Sequence, residues 1–330
     1  MTHPTQRTQL GNDGPSVFPL ALGCMAMSGA YGPSDEGEGI ATIREAIERG
    51  VTLIDTGDFY DSGHNELLVR RAIEGRRDEV QLSVKFGVMR GPDGAMVGFD
   101  ARPAAVRNFV TYSLRRLGVD VIDVYRPARL DPSVPIEETV GAIAELVKAG
   151  YVRHIGLSEV GVETIRRAAK VHPISDLQIE YSIVSRGPEA AIFPALAELG
   201  MSATLYGVLS RGLLTGSKVG GKGDGRGHMP RFSGDAAGRN AAAVARFHAF
   251  AAERRMTPAQ LSLAWVLARQ PTLVPVVGPR TRKQLNDLLG ALDRPLSPAD
   301  VVAVEAILPE GAIEGTRYPA AHMKQLDSER

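Results

Sequence analysis

Cysteine occurs once, at Cys24, which excludes an internal disulfide framework and fits a reducing compartment. A buried, inert thiol is its expected state, because free cysteine packs as a small hydrophobe. Net charge is missing too: 38 basic residues balance 38 acidic ones, so nothing draws the chain broadly to nucleic acid or to an anionic membrane. Any anion must be met locally. No apolar run approaches the roughly 20 residues that span a bilayer, and residues 1–6 hold no apolar core of a signal peptide. A soluble cytoplasmic protein is the expectation. No linker divides the 330 residues, so one domain over 1–330 is expected.

What the chain does have is alternation. Short β-branched or apolar runs at 17–22, 52–54, 80–85, 121–125, 154–156, 177–180, 203–206 and 273–276 read as strands. Stretches of helical period at 36–49, 65–73, 102–117, 136–148, 162–170, 189–199, 241–254 and 281–289 lie between or after them. Gly50, Gly118, Gly150 and Gly200 follow four of these helices, where a left-handed residue ends a helix. Alternating strands and helices argue a parallel sheet with crossover helices, and eight strands close a (β/α)8 TIM barrel. Two additions are expected: an N-terminal β-hairpin, and extra C-terminal helices, one opening at Thr257-Pro258. The segment 216–227, dense in glycine, reads as a mobile loop.

Within this frame Asp55 and Tyr60 stand five residues apart, and Lys85 follows at the end of the next strand. Taken singly, each has an ordinary reading: a turn cap, a half-buried core residue, a solvated ammonium. Taken together they suggest proton chemistry. A phenol with a pKa near ~10 releases a proton at neutral pH only if a buried cation, itself held by a carboxylate, stabilises the phenolate. Barrel chemistry gathers at the C-terminal ends of the strands, where these three are expected to meet.

The stretches Asp55-Thr56-Gly57-Asp58-Phe59-Tyr60 and Gly63-His64-Asn65-Glu66 resemble a signature of the aldo-keto reductase family. Gly156-Leu157-Ser158, the run from Tyr206 to Gly216, and Val276-Val277-Gly278-Pro279-Arg280 resemble three further family motifs, in order and at the ends of expected strands. The likeness covers nearly the whole chain and is nearest to long-chain bacterial members, some of which reduce pyridoxal or other carbonyls. It implies NADPH-dependent, reversible reduction of an aldehyde or ketone, with Tyr60 as general acid, Lys85 lowering its pKa and Asp55 paired with Lys85. It also implies a cofactor path along Gly23, Cys24, Met25 and Asp55, with Ser158, Glu159 and Gln178 near the carboxamide and Tyr206 stacked on the nicotinamide. Backbone N–H groups of Gly207, Val208, Leu209, Ser210, Gly212 and Leu213 would then meet the pyrophosphate, and Gly278, Arg280, Gln284 and Asp287 the adenosine end. Arg280 at a helix N-terminus suits a 2′-phosphate, favouring NADPH over NADH.

The pattern breaks at one point. The family's Asp-x-Tyr-x-x-His reads here Asp123-Val124-Tyr125-Arg126-Pro127-Ala128, and an alanine cannot donate to a carbonyl. Arg126, Arg129 and His64 are the nearest possible donors; none enters the catalytic set. Three readings therefore stand open: a carbonyl reductase, a non-catalytic or very slow NADPH-binding redox sensor, and a lyase or isomerase using Lys85 as a Schiff-base amine. Met25, Met27, Tyr31, Phe59 and Met89 are expected to line an apolar substrate pocket. No metal site is expected.

Overall fold

The structure, a computed structural model, describes residues 7–221 and 223–330. The N-terminal stretch read for a signal peptide lies outside the described residues, as does Lys222 within the glycine-rich segment. Eight strands form a closed barrel: β1 (Ala21–Gly23), β2 (Leu53–Gly57), β3 (Gln81–Phe86), β4 (Ile122–Pro127), β5 (Val152–Ser158), β6 (Asp176–Glu180), β7 (Ser202–Tyr206) and β8 (Val274–Val277). Each pairs in parallel with the next, and β8 closes on β1 through Val276 beside Ala21. Every residue of β2, β4, β6 and β8 is buried, as parallel strands covered on both faces require.

Amphipathic helices wrap the barrel. They are α1 (Glu36–Glu48), α2 (His64–Ile73), α3 (Pro103–Leu117), α4 (Ile136–Lys148), α5 (Val162–Ala169), α6 (Ile192–Glu198), α7 (Gly234–Glu253), α8 (Pro258–Arg269) and α9 (Arg282–Leu289). Two more, α10 (Pro298–Ile307) and the short α11 (Ala320–Met323), lie near the C-terminus. In α4, Ile136, Val140 and Ile143 pack inward at helical spacing while Glu137, Glu138 and Lys148 stay outside. The expected N-terminal hairpin is present, Thr8–Gln9 pairing antiparallel with Ser16–Val17. Its Leu10 and Val17 share a core cluster with Leu53 and Val274 at the starts of β2 and β8, so the hairpin plugs the barrel's N-terminal end. Chemistry is left to the other end.

Two expectations shift. Asp55 is not at a strand end; β2 continues to Gly57 because Asp58 still donates its N–H to the Lys85 carbonyl at 2.9 Å. The described residues of 216–227, expected as a mobile loop, include one buried anchor. Buried Arg226 ties them down, donating to the Arg211 carbonyl (2.9 Å), the Lys218 carbonyl (2.9 Å) and Asp224 (2.8 Å) while its guanidinium lies over the Tyr31 ring. One well-satisfied arginine offsets the entropy of the glycines around it.

The helix expected at Thr257 forms with a complete capping box, in which Thr257 accepts from the Gln260 N–H and Gln260 accepts from the Thr257 N–H. The Thr257 hydroxyl also donates to Asp287 at 3.0 Å, joining α8 to α9. Thr257→Ala is expected to cost about 1–2 kcal/mol of unfolding free energy, read by urea denaturation, while Thr257→Ser keeps most of it.

Candidate active site

Asp55 from β2 and Lys85 from β3 meet inside the barrel, Lys85 Nζ donating to Asp55 Oδ1. The other carboxylate oxygen of Asp55 accepts from the Ser83 hydroxyl (2.8 Å) and from Gln178 Nε2 (2.9 Å). The Lys85 ammonium lies 5.1 Å from the Tyr60 ring centroid, so the three residues singled out in the sequence converge. Tyr60 opens a tight turn in which Asp61 and Ser62 take left-handed φ of 47° and 51°. Asn65 holds that turn to its neighbours. Its amide donates to the Cys24 carbonyl (2.9 Å) and to Ser28 (2.7 Å), and its oxygen accepts from Thr56 (2.6 Å).

Electrostatically the phenol is held neutral. Burial, then the Asp55 charge, pushes the Tyr60 pKa well above its ordinary value, with Arg129 pulling the other way. Burial pulls Lys85 down, Asp55 opposes that, and Arg126 adds to it. The direction for Tyr60 is opposite to the lowering by Lys85 that the family resemblance implied, because burial and the Asp55 charge prevail, and Tyr60 is held as the protonated phenol beside an ammonium with weakened hold on its protons. Burial raises the Cys24 thiol far above its usual range, leaving it inert.

The two arginines near the break in the pattern have different fates. Arg126 is fully buried inside the barrel on Asp176, at 2.8 Å and 3.2 Å. Arg129 has only the Ala128 carbonyl (2.6 Å) and the Tyr318 hydroxyl (3.3 Å), with no carboxylate partner among the described residues. Ala128 is buried. His64 points to Ser28 at 3.0 Å.

The C-terminal segment comes over the barrel mouth. Arg317 donates to Glu159 (2.9 Å) and to the Tyr206 hydroxyl (3.3 Å), and Tyr206 in turn donates to Glu159 at 2.7 Å. The Tyr318 and Tyr206 hydroxyls are 3.1 Å apart, and the Arg211 guanidinium, paired with Glu180 at 2.8 Å, lies 4.4 Å from the Tyr318 ring centroid. Glu159 also accepts from the Glu180 N–H (2.9 Å) and Ser328 (2.7 Å). Burial works against its charge, but Arg317 and Arg129 hold its pKa down at about 2. These contacts occupy the carboxylate expected near the carboxamide and fix the ring expected to stack. Arg317, Tyr318 and Ser328 escaped sequence reading because they follow the last periodic segment. Ser83 and Asp176 carried no clear signal either, since their strands, QLSVKF and DLQIE, mix polar with apolar residues throughout.

The residues expected along the cofactor path fall into two groups by what surrounds them. A Cβ on Gly23 would come 3.1 Å from the Val276 side chain, a tight approach, whereas one on Gly278 would sit at ordinary contact distance, 3.4 Å, from the Gly23 carbonyl. Arg280, just before α9, makes no ion pair among the described residues; its side chain donates to the Tyr31 carbonyl at 3.3 Å and its N–H to Gln284 at 2.8 Å. A guanidinium without a counter-ion beside a helix N-terminus fits a dinucleotide phosphate. Other positions are engaged within the protein. The N–H groups of Ser210, Gly212 and Leu213 donate to the carbonyls of Gly207, Leu209 and Ser210, Gln178 is on Asp55, and Asp287 caps toward Thr257. Ser158 and Val208 are buried, and Met25 and Leu209 half-buried, along the same rim. Of the expected apolar pocket, Met27 is instead core and Met89 lies on an exposed two-stranded ribbon, while Phe59 packs edge-on to Tyr60 at 4.8 Å. A short 3-10 turn at Met25–Ser28 turns Met27 into the core, and an unforeseen ribbon carries Met89 outward. Among the described residues there is no metal-ligating cluster and no helix long and apolar enough to cross a membrane.

The model of the aldo/keto reductase family matches residues 19–309. A Glycine max protein named "Probable aldo-keto reductase 1" is 40% identical over 321 residues, covering 95% of this chain and 92% of its own. Aldo-keto reductase yakc [NADP(+)] of Schizosaccharomyces pombe is 36% identical over 328 residues, 97% of this chain and 95% of its own. Among solved structures, the glycerol dehydrogenase AKR11B4 from Gluconobacter oxydans superposes with a TM-score of 0.82 at 28% identity, covering 92% of this chain and 94% of that one.

Behind Tyr60, Asp58 is buried; burial, then Glu66, pushes its pKa up to about 8, against the pull of Arg116. An unfolded Asp titrates near ~3.9, so between there and about 8 the folded state holds a proton that the unfolded state has lost. Stability should therefore fall as pH rises through that window. Asp58→Asn is expected to remove this slope and to exceed the natural chain in stability at the alkaline end, as read by denaturation at a series of pH values.

Proposed function

Because the chain belongs to the aldo/keto reductase family, whose members are NADP-dependent oxidoreductases of carbonyl and alcohol groups, we propose that it reduces an aldehyde or ketone to the alcohol, reversibly, with NADPH as reductant. The observation that carries this reading is the buried Asp55–Lys85 pair set against a neutral Tyr60 at the open end of the barrel. When bound, the dihydronicotinamide supplies hydride to the carbonyl carbon. Tyr60 then gives its phenolic proton to the carbonyl oxygen as the C=O π pair moves onto it, and Lys85 stabilises the tyrosinate until a proton returns from solvent. Asp55 keeps Lys85 charged and oriented. Tyr206, fixed at its hydroxyl by Glu159, Arg317 and Tyr318, offers its face for stacking, while Gly23 and Gly278 leave room for the backbone's close approach. Arg280 at α9 would hold the 2′-phosphate, the basis for preferring NADPH to NADH. Substrate is a small carbonyl compound; nucleic acid and membrane are no part of this reading.

A second reading, a slow or non-catalytic NADPH-binding sensor, draws on Ala128, which places a methyl group where a donor would help the carbonyl. The two separate on turnover. Following reduced-nicotinamide absorbance against a panel of aldehydes and ketones should show substrate-dependent oxidation, and Tyr60→Phe should lower it by about 10²–10⁴-fold while NADPH fluorescence titration changes little. Binding without oxidation for every carbonyl would favour the sensor, and unchanged turnover in the variant would remove Tyr60 as the acid.

A further inference from the structure

The barrel interior holds a second buried ion pair directly beside the first. Arg126 on β4 is the register partner of Lys85 on β3, so two cations stand on neighbouring strands with no exposure for Arg126 and little for Lys85. Each has its own carboxylate, Asp55 for Lys85 and Asp176 for Arg126. The pairs are joined by hydrogen bonds. Arg126 donates to the Ser83 hydroxyl at 3.1 Å, and that hydroxyl, already accepting from Arg126, turns its single proton to Asp55 at 2.8 Å. Thr204 donates to Asp176 at 2.7 Å on the far side, and Gln178 reaches both Asp55 (2.9 Å) and Thr204 (3.4 Å). Gly156 makes the space: a Cβ there would come 2.9 Å from the Arg126 guanidinium carbon and 3.0 Å from Asp176. A fully buried arginine is costly unless paired, and an aliphatic side chain would fill this position without that cost.

We infer that Arg126, anchored by Asp176, is a positioning residue for the proton donor: through Ser83 it fixes the rotation of Asp55, and through its charge it opposes that of Lys85. This rests on Tyr60 being the acid of the proposed reduction. With Oδ2 of Asp55 held by Ser83 and Gln178, Oδ1 is left facing Lys85, the orientation the ammonium needs to remain against Tyr60. The positive charge of Arg126 loosens the ammonium's protons, as burial also does, and so eases their passage to a tyrosinate. Other groups facing this pair are Cys24 beside Lys85, and Tyr31, Arg129 and Tyr318 around Tyr60; none of them is altered by the substitutions below.

The test uses two substitutions of opposite sign. Arg126→Met leaves the Asp176 charge behind and should move the basic limb of the kcat/KM profile for carbonyl reduction upward by about one pH unit; Asp176→Asn leaves the Arg126 charge and should move it down by a similar amount. Arg126→Lys should restore part of the shift. KM for NADPH should stay near that of the natural chain while kcat falls in both. Ultraviolet difference spectra of tyrosinate, taken in each background with and without Tyr60→Phe, should move in the same two directions. A purely structural pair would lower activity and melting temperature together and leave both limbs in place, or shift them the same way; either result overturns the inference. Should Arg126→Met fail to fold, Asp176→Asn decides alone, a downward shift supporting the inference and an unmoved limb overturning it. If the natural chain reduces no carbonyl at all, the functional reading fails separately, and the tyrosinate spectra still decide this one.

Discussion

Charge buried inside a closed barrel is the constraint on which the rest of this structure depends. Asp55, Lys85, Arg126 and Asp176 occupy the interior with almost no exposure, and each is tolerated only because its partner is in contact and its remaining polar atoms are largely hydrogen-bonded. Removing one member of such a pair typically costs about 3–5 kcal/mol, far more than the typical surface ion pair contributes. The arrangement is therefore both expensive and rigid, and rigidity is what the proposed proton donor would need. Ser83, Gln178, Thr204 and Gly156, none of them reactive, are explained by this demand: three complete the hydrogen bonding, and the fourth supplies volume by having no side chain.

The opposite ends of the barrel show how the fold divides its labour. At the N-terminal end, Leu10 and Val17 of the hairpin close the interior with apolar contact, so stability there comes from burial. At the other end the closing segment is polar. Arg317 and Tyr318 bind Glu159 and Tyr206, which tethers the C-terminal segment to β5 and β7 through a carboxylate kept ionised by its neighbours. The Glu159 backbone at φ 54° belongs to the same device: a left-handed turn right after β5 aims the carboxylate across the mouth. A seal of this kind fixes Tyr206 at its hydroxyl, while the residue packs against the core cluster that contains Val274 and Val276.

The barrel was legible because its signals are local and repeated. Seven of the eight strand runs and all eight expected helices form, with ends displaced by a few residues, since period and glycine punctuation are set within each segment; the run 17–22 instead divides between the hairpin, which takes Val17, and the barrel strand Ala21–Gly23. The largest displacement is α7, which begins at Gly234 where 241 was expected, because glycine, asparagine and aspartate in its first turns conceal the helical period. The trio Asp55, Tyr60 and Lys85 was legible for a related reason: neighbouring parallel strands bring their C-terminal halves, and the loops that leave them, to one end of the barrel, even though Asp55 proved to lie within β2 and not at its end. What escaped was long-range pairing. Nothing near Arg126 announces Asp176 fifty residues on, nothing near Glu159 announces Arg317, and the single Arg226 that fixes a glycine-rich segment is outweighed in sequence by the glycines around it.

The matching of charge also explains why the mouth is not the apolar pocket its methionines suggested. Arg211 and Arg317 are each answered by Glu180 or Glu159, so they bind the segment together and project little free charge. Arg129 is different: among the described residues its hydrogen bonds go to a hydroxyl and a backbone carbonyl, and it lies over the Tyr318 ring. It is also the group that most opposes the rise of the Tyr60 pKa caused by burial, Asp55 and Tyr31. Glu159, which the Arg129 charge helps keep ionised, answers that charge without an ion-pair contact, so of the three arginines Arg129 is the least closely paired. Polarity at this mouth thus follows from how closely each arginine meets a carboxylate, a fact of pairing that composition does not disclose.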